Sequence, residues 1–262
     1  PTRYNTHMTD CNSEVYLAFG NERLRPALDL LAQVPADRPQ VVYDLGCGPG
    51  TATVYLKRRW PDARVIGVDG SPDMLARARA EHADIEWIEA DLNAWQPDVL
   101  GDVVYSNAAF QWLDDHHVLY PRIVEAVKPG GALAIQVPNN WREPSHVGMS
   151  DTAQNPAWRD RVVPLLRGVP VLTPQEYYDI VRPLVSYLNI WETTYHQQLE
   201  GDNPIVAWTS GSSLRPLLDP LTDAERAAFV EEYTARVAPH YPKQPDGKTI
   251  FPFRRIFLVA IR

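Results

Sequence analysis

Five short runs rich in β-branched and aromatic residues recur between residues 40 and 138: QVVYDL, ARVIGVD, IEWIEA, DVVYSN and ALAIQVP. Stretches that read as helices separate them. Apolar strands that alternate with helices bury both faces of a parallel sheet, so this pattern prescribes an α/β architecture. Each run ends in a polar or glycine-rich turn, which gathers chemistry along one edge of the sheet. One helix start is legible in detail. Ser71 followed by Pro72 places an N-cap before a proline at the first helical position and predicts a helix to about Glu81.

Beyond Pro138 the texture changes, and the chain to about Lys248 is richer in proline and tryptophan. Two capping boxes stand out there. Thr173 with Glu176 opens a helix through Tyr177, Ile180 and Val181, and Thr222 with Glu225 opens one through Phe229 and Tyr233. Between them LNIWETTY alternates as a strand does, and the closing RRIFLVAI reads as another. The expected fold is a Rossmann-like core with a mostly helical cap inserted after strand 5 and two strands returning to the sheet. The boundaries follow from this: 1–137, 186–196 and 249–262 form the core with an N-terminal lid segment, and 138–185 and 197–248 form the cap.

The strongest local signal is VVYDLGCGPG, where a buried strand ends in Asp44 and then Gly46, Gly48 and Gly50. Glycine there allows a sharp turn and a close approach of backbone to ligand. A dinucleotide loop prefers G-x-G-x-x-G, whereas here Thr51 stands where the third glycine would fall. Alone, such a turn is a weak signal, since structural punctuation and other nucleotide sites use it too. The next strand ends carry Asp69, suited to accept from two ribose hydroxyls, Asp91, where an adenine amino group would lie, and Asn107, facing the same crevice. Each of these could instead cap a helix. Four successive strand ends of this chemistry favour one nucleoside-like ligand, with Gly70, Met74 and Leu92 beside them counted in its site.

Composition narrows the partner. A formal net charge of -8 disfavours phosphate backbones, so a small molecule is expected and nucleic acid is not. No apolar run approaches the roughly 20 residues of a membrane span, and PTRYNTHMTDCNSE has no hydrophobic signal region, so a cytoplasmic protein is expected. Cys11 and Cys47 fit no paired spacing and are read as free thiols. A monomer or weak homodimer is expected.

The glycine spacing after Asp44 resembles the first motif of class I S-adenosylmethionine-dependent methyltransferases. More of the chain is similar to one family among them, the trans-aconitate methyltransferases. VYLAFGNERLRPALDLLAQVP, DLGCGPG, NAAFQWL, QVPNNWREPSH, WETTYHQQL, GSSLRPLL and PFRRIFLVA carry the resemblance over nearly the whole length. It implies a seven-stranded, mostly parallel sheet with the last strand antiparallel, S-adenosyl-L-methionine as cofactor, and a small carboxylic acid as acceptor, esterified by methyl transfer. The cofactor has no phosphates, which accords with the absence of a Walker lysine after the loop.

A carboxylate acceptor is ionised at neutral pH and needs no general base, so positioning can supply most of the acceleration and no catalytic acid or base is assigned. A polycarboxylate needs guanidinium forks. Arg215 in SLRP and Arg255 in FRRIF are the principal candidates, with Trp112, Trp141 and His146 as walls or donors and Arg23 and Arg25 able to close from the N-terminal side. Any one of these arginines could be a surface ion pair of little energy. A hydroxyl acceptor would want His146 as base. Asp114 to His117, DDHH, looks metal-like, but adjacent residues at a helix start point apart and no metal site is expected. Cys47 is read as a small loop residue rather than a nucleophile. Departures from the family pattern fall at Cys11, Thr51, Gly70 and Ser213, and they bear on substrate shape. Alternatives are a methyltransferase for another carboxylic acid or a natural-product hydroxyl, and a non-methylating relative that keeps the cofactor; a nicotinamide-dependent dehydrogenase is disfavoured by the glycine spacing.

Arg254 and Arg255 cannot both face one pocket from a regular strand. The family's FPRLF pattern aligns its arginine with Arg255, so Arg255 is expected at the substrate and Arg254 toward solvent or a neighbouring acid.

Overall fold

A computed structural model describes residues 20–262. Its strands are β1 (Val41–Leu45), β2 (Arg64–Asp69), β3 (Glu86–Glu89), β4 (Gly101–Asn107), β5 (Val127–Pro138), β6 (Tyr187–Leu199) and β7 (Thr249–Ile261). They form one sheet in the order β3-β2-β1-β4-β5-β7-β6. Strands β1 to β5 are parallel, and β7 runs antiparallel to β5. This is the expected Rossmann-like class.

Local chemistry explains the elements. The Ser71 hydroxyl accepts from the Met74 N–H at 3.4 Å, and the helix it starts spans Pro72–Glu81. Both capping boxes form: Thr173 and Thr222 each accept from the backbone of the glutamate three residues on, while Glu176 and Glu225 reach back to the cap. Strand β5 begins five residues before ALAIQVP, because the Pro-Gly-Gly break is bridged by the end of the chain. Gly130 N–H donates to the Arg262 carbonyl at 2.8 Å and Arg262 N–H to the Gly131 carbonyl at 3.1 Å. At the opposite end of the sheet from the glycine loop, the Asp102 carboxylate accepts from the Gln40 and Val41 N–H groups and from Lys128 Nζ, and so ties three segments together.

The chain divides into two compact units. One comprises Asn21–Asn139, Val169–Thr193 and Arg254–Arg262, and contains most of the sheet. Its helix Pro174–Val181 packs Tyr177 against Tyr120, with ring centroids 4.6 Å apart, so this helix, read from sequence as part of the cap, belongs with the sheet. Trp191 stacks on Phe257 at 4.9 Å.

The other unit includes Asn140–Gly168 and Thr194–Phe253. Its core joins Met149, Trp158, Trp208, Phe229, Tyr233 and Phe251, the last three entirely buried. Helices Pro144–Ala153 and Asp223–Val237 meet at Gly148, where a Cβ would come within 2.9 Å of Val237 Cγ1. Trp158 and Trp208 are therefore packing residues. Among the described residues, no helix is long and apolar enough to cross a membrane.

Candidate active site

The turn after β1 is knit to β2, since the N–H groups of Gly46 and Cys47 both donate to the Val68 carbonyl. Its three glycines have different surroundings. Gly46 has φ +75°, and a Cβ there would lie 2.1 Å from that of Ala109; at Gly50 it would lie 2.6 Å from the Trp87 ring. Those two positions let the loop pack. Gly48 has φ +54° and, among the described residues, nothing within 4 Å of where its Cβ would stand, which leaves room there for a ligand. Trp87 also covers Gly67 of β2, where a Cβ would come within 2.4 Å of the indole. Burial holds the Cys47 thiol protonated far above its usual range, which fits a loop residue and not a nucleophile.

Two carboxylates lie beneath the loop. Asp44 is 1% exposed and accepts from the Thr53 hydroxyl at 2.6 Å. Burial pushes its pKa up to about 7; the Thr53 hydrogen bond opposes this and the charge of Asp69 adds to it. Asp69 accepts from the N–H groups of Gly48 and Ser71, both at 2.8 Å, and burial raises its pKa against those bonds. Among the described residues neither carboxylate is ion-paired. At the end of β4, the Asn107 Oδ1 is buried without a hydrogen-bond partner among the described residues.

Asp91 lies two residues past the end of β3 and is exposed, accepting from the N–H and side-chain amide of Asn93. Leu92 is buried beside Gly46. Arg122, which the sequence reading missed, braces this turn by donating to the carbonyls of Leu92, at 2.7 Å, and Trp95. Met74 is half-buried in the first turn of its helix, and Gly70 is exposed. Of the departures, Thr51 is exposed and Ser213 half-buried.

Arg255 is 4% exposed, whereas Arg254 is exposed. The β5–β7 register sets Arg255 across from Pro138, where the parallel strands end. Its Nη1 donates to the Gln136 Oε1 at 3.2 Å. Gln136 is another residue that sequence reasoning passed over; a single polar residue inside ALAIQVP was the available signal. Trp112 is 41% exposed in the turn Phe110–Trp112, which follows Ala108 at φ 54°. Nearby, the His116 of DDHH has a structural role, with Nε2 2.9 Å from the Phe110 carbonyl and Nδ1 2.7 Å from the Tyr177 hydroxyl.

In the other unit, the Trp141 and His146 rings meet with centroids 5.4 Å apart, and His146 Nδ1 lies 3.2 Å from the Ser145 hydroxyl. Burial pushes the His146 pKa down to about 4, so its imidazole is neutral at physiological pH. Arg215 is half-buried at the start of the short helix Arg215–Leu218. Arg25 is exposed, 3.8 Å from Asp29 one turn on. The Arg23 side chain, Cys11 and the N-terminal lid segment lie outside what the structure describes.

Residues 42–131 match a family model described as a methyltransferase domain. The chain is 48% identical over 258 residues to the trans-aconitate 2-methyltransferase of Rhodopseudomonas palustris (strain BisB18), covering 97% of this chain and 100% of that protein. The chain belongs to the trans-aconitate 2-methyltransferase family. A member from Escherichia coli O139:H28 is 42% identical over 255 residues, covering 97% of this chain and 99% of its own length. The fold is shared more widely: the YcgJ protein of Bacillus subtilis superposes with a TM-score of 0.57 at 15% identity, over 91% of this chain and 98% of that one.

As a class I methyltransferase the enzyme uses S-adenosyl-L-methionine, and the residues at the loop suit that molecule. Asp44, Asp69 and the Asn107 Oδ1 are all acceptors, and among the described residues the two carboxylates have no cation of their own. A ligand bearing a positive charge and hydroxyl donors answers both conditions.

Proposed function

We propose that this enzyme transfers a methyl group from S-adenosyl-L-methionine to a carboxylate of trans-aconitate, forming a methyl ester. The observation that carries the acceptor reading is Arg255, a buried guanidinium placed by strand register at the edge where the parallel strands end. The planar fork of an arginine matches a carboxylate and keeps its charge at any relevant pH. The bound cofactor supplies an activated methyl group on a sulfonium. An ionised acceptor oxygen could take that methyl group without a proton having to move, so the residues would need only to hold the two reactants in line.

The chain's own contribution is positioning. Asp44, Gly46, Gly48, Gly50, Asp69, Gly70, Met74, Asp91, Leu92 and Asn107 are assigned to the donor, with Gly48 leaving room for it and Asp69 holding the loop by its N–H. Arg255 and Trp112 are assigned to the acceptor, and Trp141, His146 and Arg215 keep the acceptor roles that family resemblance implies. A hydroxyl acceptor is disfavoured by His146, because a pKa pushed down to about 4 makes a weak base at neutral pH.

The test is transfer of labelled methyl to trans-aconitate, cis-aconitate, citrate and isocitrate by the wild type and Arg215→Ala. Label is expected in trans-aconitate above the other three, and Arg215→Ala should lose that activity with unchanged cofactor affinity. Preferred labelling of another acid, or of none, would overturn the substrate assignment.

A further inference from the structure

Gln136 is 0% exposed two residues before the end of β5, and its amide is only half engaged. Oε1 accepts from Arg255 Nη1, while Nε2 has no hydrogen-bond partner among the described residues. Rotating the amide by half a turn does not relieve this, because it would set the NH2 group against the guanidinium, donor against donor. Arg255 therefore fixes the orientation that leaves an N–H donor unspent. Buried polar groups are nearly always satisfied, and an exception beside an active edge points to an absent partner.

The register defines where this donor stands. Gln136 lies across from Asn107 on β4 and from Phe257 on β7, and Arg255 is two residues before Phe257. Alternation along strands puts Asn107, Gln136 and Arg255 on one face of the sheet. Asn107 holds an unpartnered acceptor and Gln136 an unpartnered donor, so these neighbouring residues ask for opposite chemistries. A cationic methyl donor satisfies the first. An anion satisfies the second.

We propose that Gln136 is a specificity-determining residue for the acceptor: its Nε2 donates to the same carboxylate that Arg255 holds, adding a directed hydrogen bond to the guanidinium's charge. This rests on the reading of the acceptor as a small polycarboxylate. The amide suits the task because it is neutral and leaves the positive charge of Arg255 undiminished, whereas a carboxylate there would neutralise it.

The experiment titrates trans-aconitate into protein saturated with S-adenosylhomocysteine, by calorimetry, for the wild type, Gln136→Met and Gln136→Glu. Methionine keeps the length and volume and removes the donor, together with the oxygen that accepts from Arg255, whereas glutamate removes the donor and keeps an acceptor for Arg255. For Gln136→Met the dissociation constant for trans-aconitate should rise about ten- to a hundredfold, as expected when one hydrogen bond to a charged group is lost. Its affinity for S-adenosylhomocysteine should not fall. Gln136→Glu should bind trans-aconitate more weakly still while keeping S-adenosylhomocysteine. Equal trans-aconitate binding by wild type and Gln136→Met would overturn this proposal and leave the substrate reading standing. Parallel loss of S-adenosylhomocysteine binding in both variants would make Gln136 a structural residue and overturn it too. A wild type that binds no trans-aconitate would overturn the substrate reading, and this inference with it.

Discussion

Asp44 is a carboxylate whose charge is a burden until the cofactor arrives, and Asp44→Asn separates the two states. An unfolded aspartate ionises near pH ~3.9, whereas burial moves the folded group up to about 7. Three pKa units correspond to about 4 kcal/mol at most, and relaxation and water entry reduce this to ~2 kcal/mol. Because the folded pKa is raised, the native state holds the extra proton across the interval between the two values. The stabilisation is fully present below the unfolded pKa and is lost as pH rises through the folded one. Asparagine carries no such term and still offers an oxygen to the Thr53 hydroxyl. The ligand-free variant and wild type should therefore melt together near pH 4.5 and diverge as pH rises, with the variant about 4–8 °C higher at pH 8 for a chain of this length. Cofactor binding should change in the opposite sense. Wild-type affinity for S-adenosylmethionine should improve from pH 6 to 8 as Asp44 ionises, while Asp44→Asn should bind at least about tenfold more weakly at pH 8 and show no such trend. Melting curves and calorimetry at four pH values suffice. A variant that melts at or below wild type at pH 8, or by the same margin at both ends of the range, would refute the reasoning.

The two adjacent arginines should behave unequally: Arg255→Ala is expected to raise the KM for trans-aconitate at least about tenfold, and Arg254→Ala less than about twofold, in steady-state assays at saturating cofactor. Equal effects would contradict the burial difference between them. For His146, whose imidazole stays neutral down to about pH 4, His146→Gln should leave the shape of the pH–rate profile between pH 6 and 9 unchanged. A limb near pH 6 that disappears in the variant would make it a base after all.

The β-branched runs and their polar ends made the sheet and its active edge legible, because a parallel strand buried on both faces has little freedom in composition. Asp44, Asp69 and Asn107 could be placed for the same reason, while alternation split the two arginines and the resemblance to the family's FPRLF pattern chose Arg255. The differing surroundings of the three glycines could not be read, since Ala109 and Trp87 set them from far along the chain. Likewise the Thr173 capping box announced a helix but not the body it joins, which Tyr177 decides through its contacts with His116 and Tyr120. Gln136 was hidden by the strand that contains it; its side chain matters through Arg255, 119 residues away.

Trp87 ties the history of the loop together. Its six-membered ring occupies the space that a side chain would need at Gly50 and at Gly67, while its own Nε1 donates to the His82 carbonyl at 3.0 Å. The three positions therefore cannot vary one at a time in any order. A larger residue at 50 or 67 is admissible only after the indole has been replaced by something smaller, and a smaller residue at 87 opens a void that those glycines cannot fill. The mutational routes open to this loop thus pass first through residue 87, a position that need touch neither donor nor acceptor.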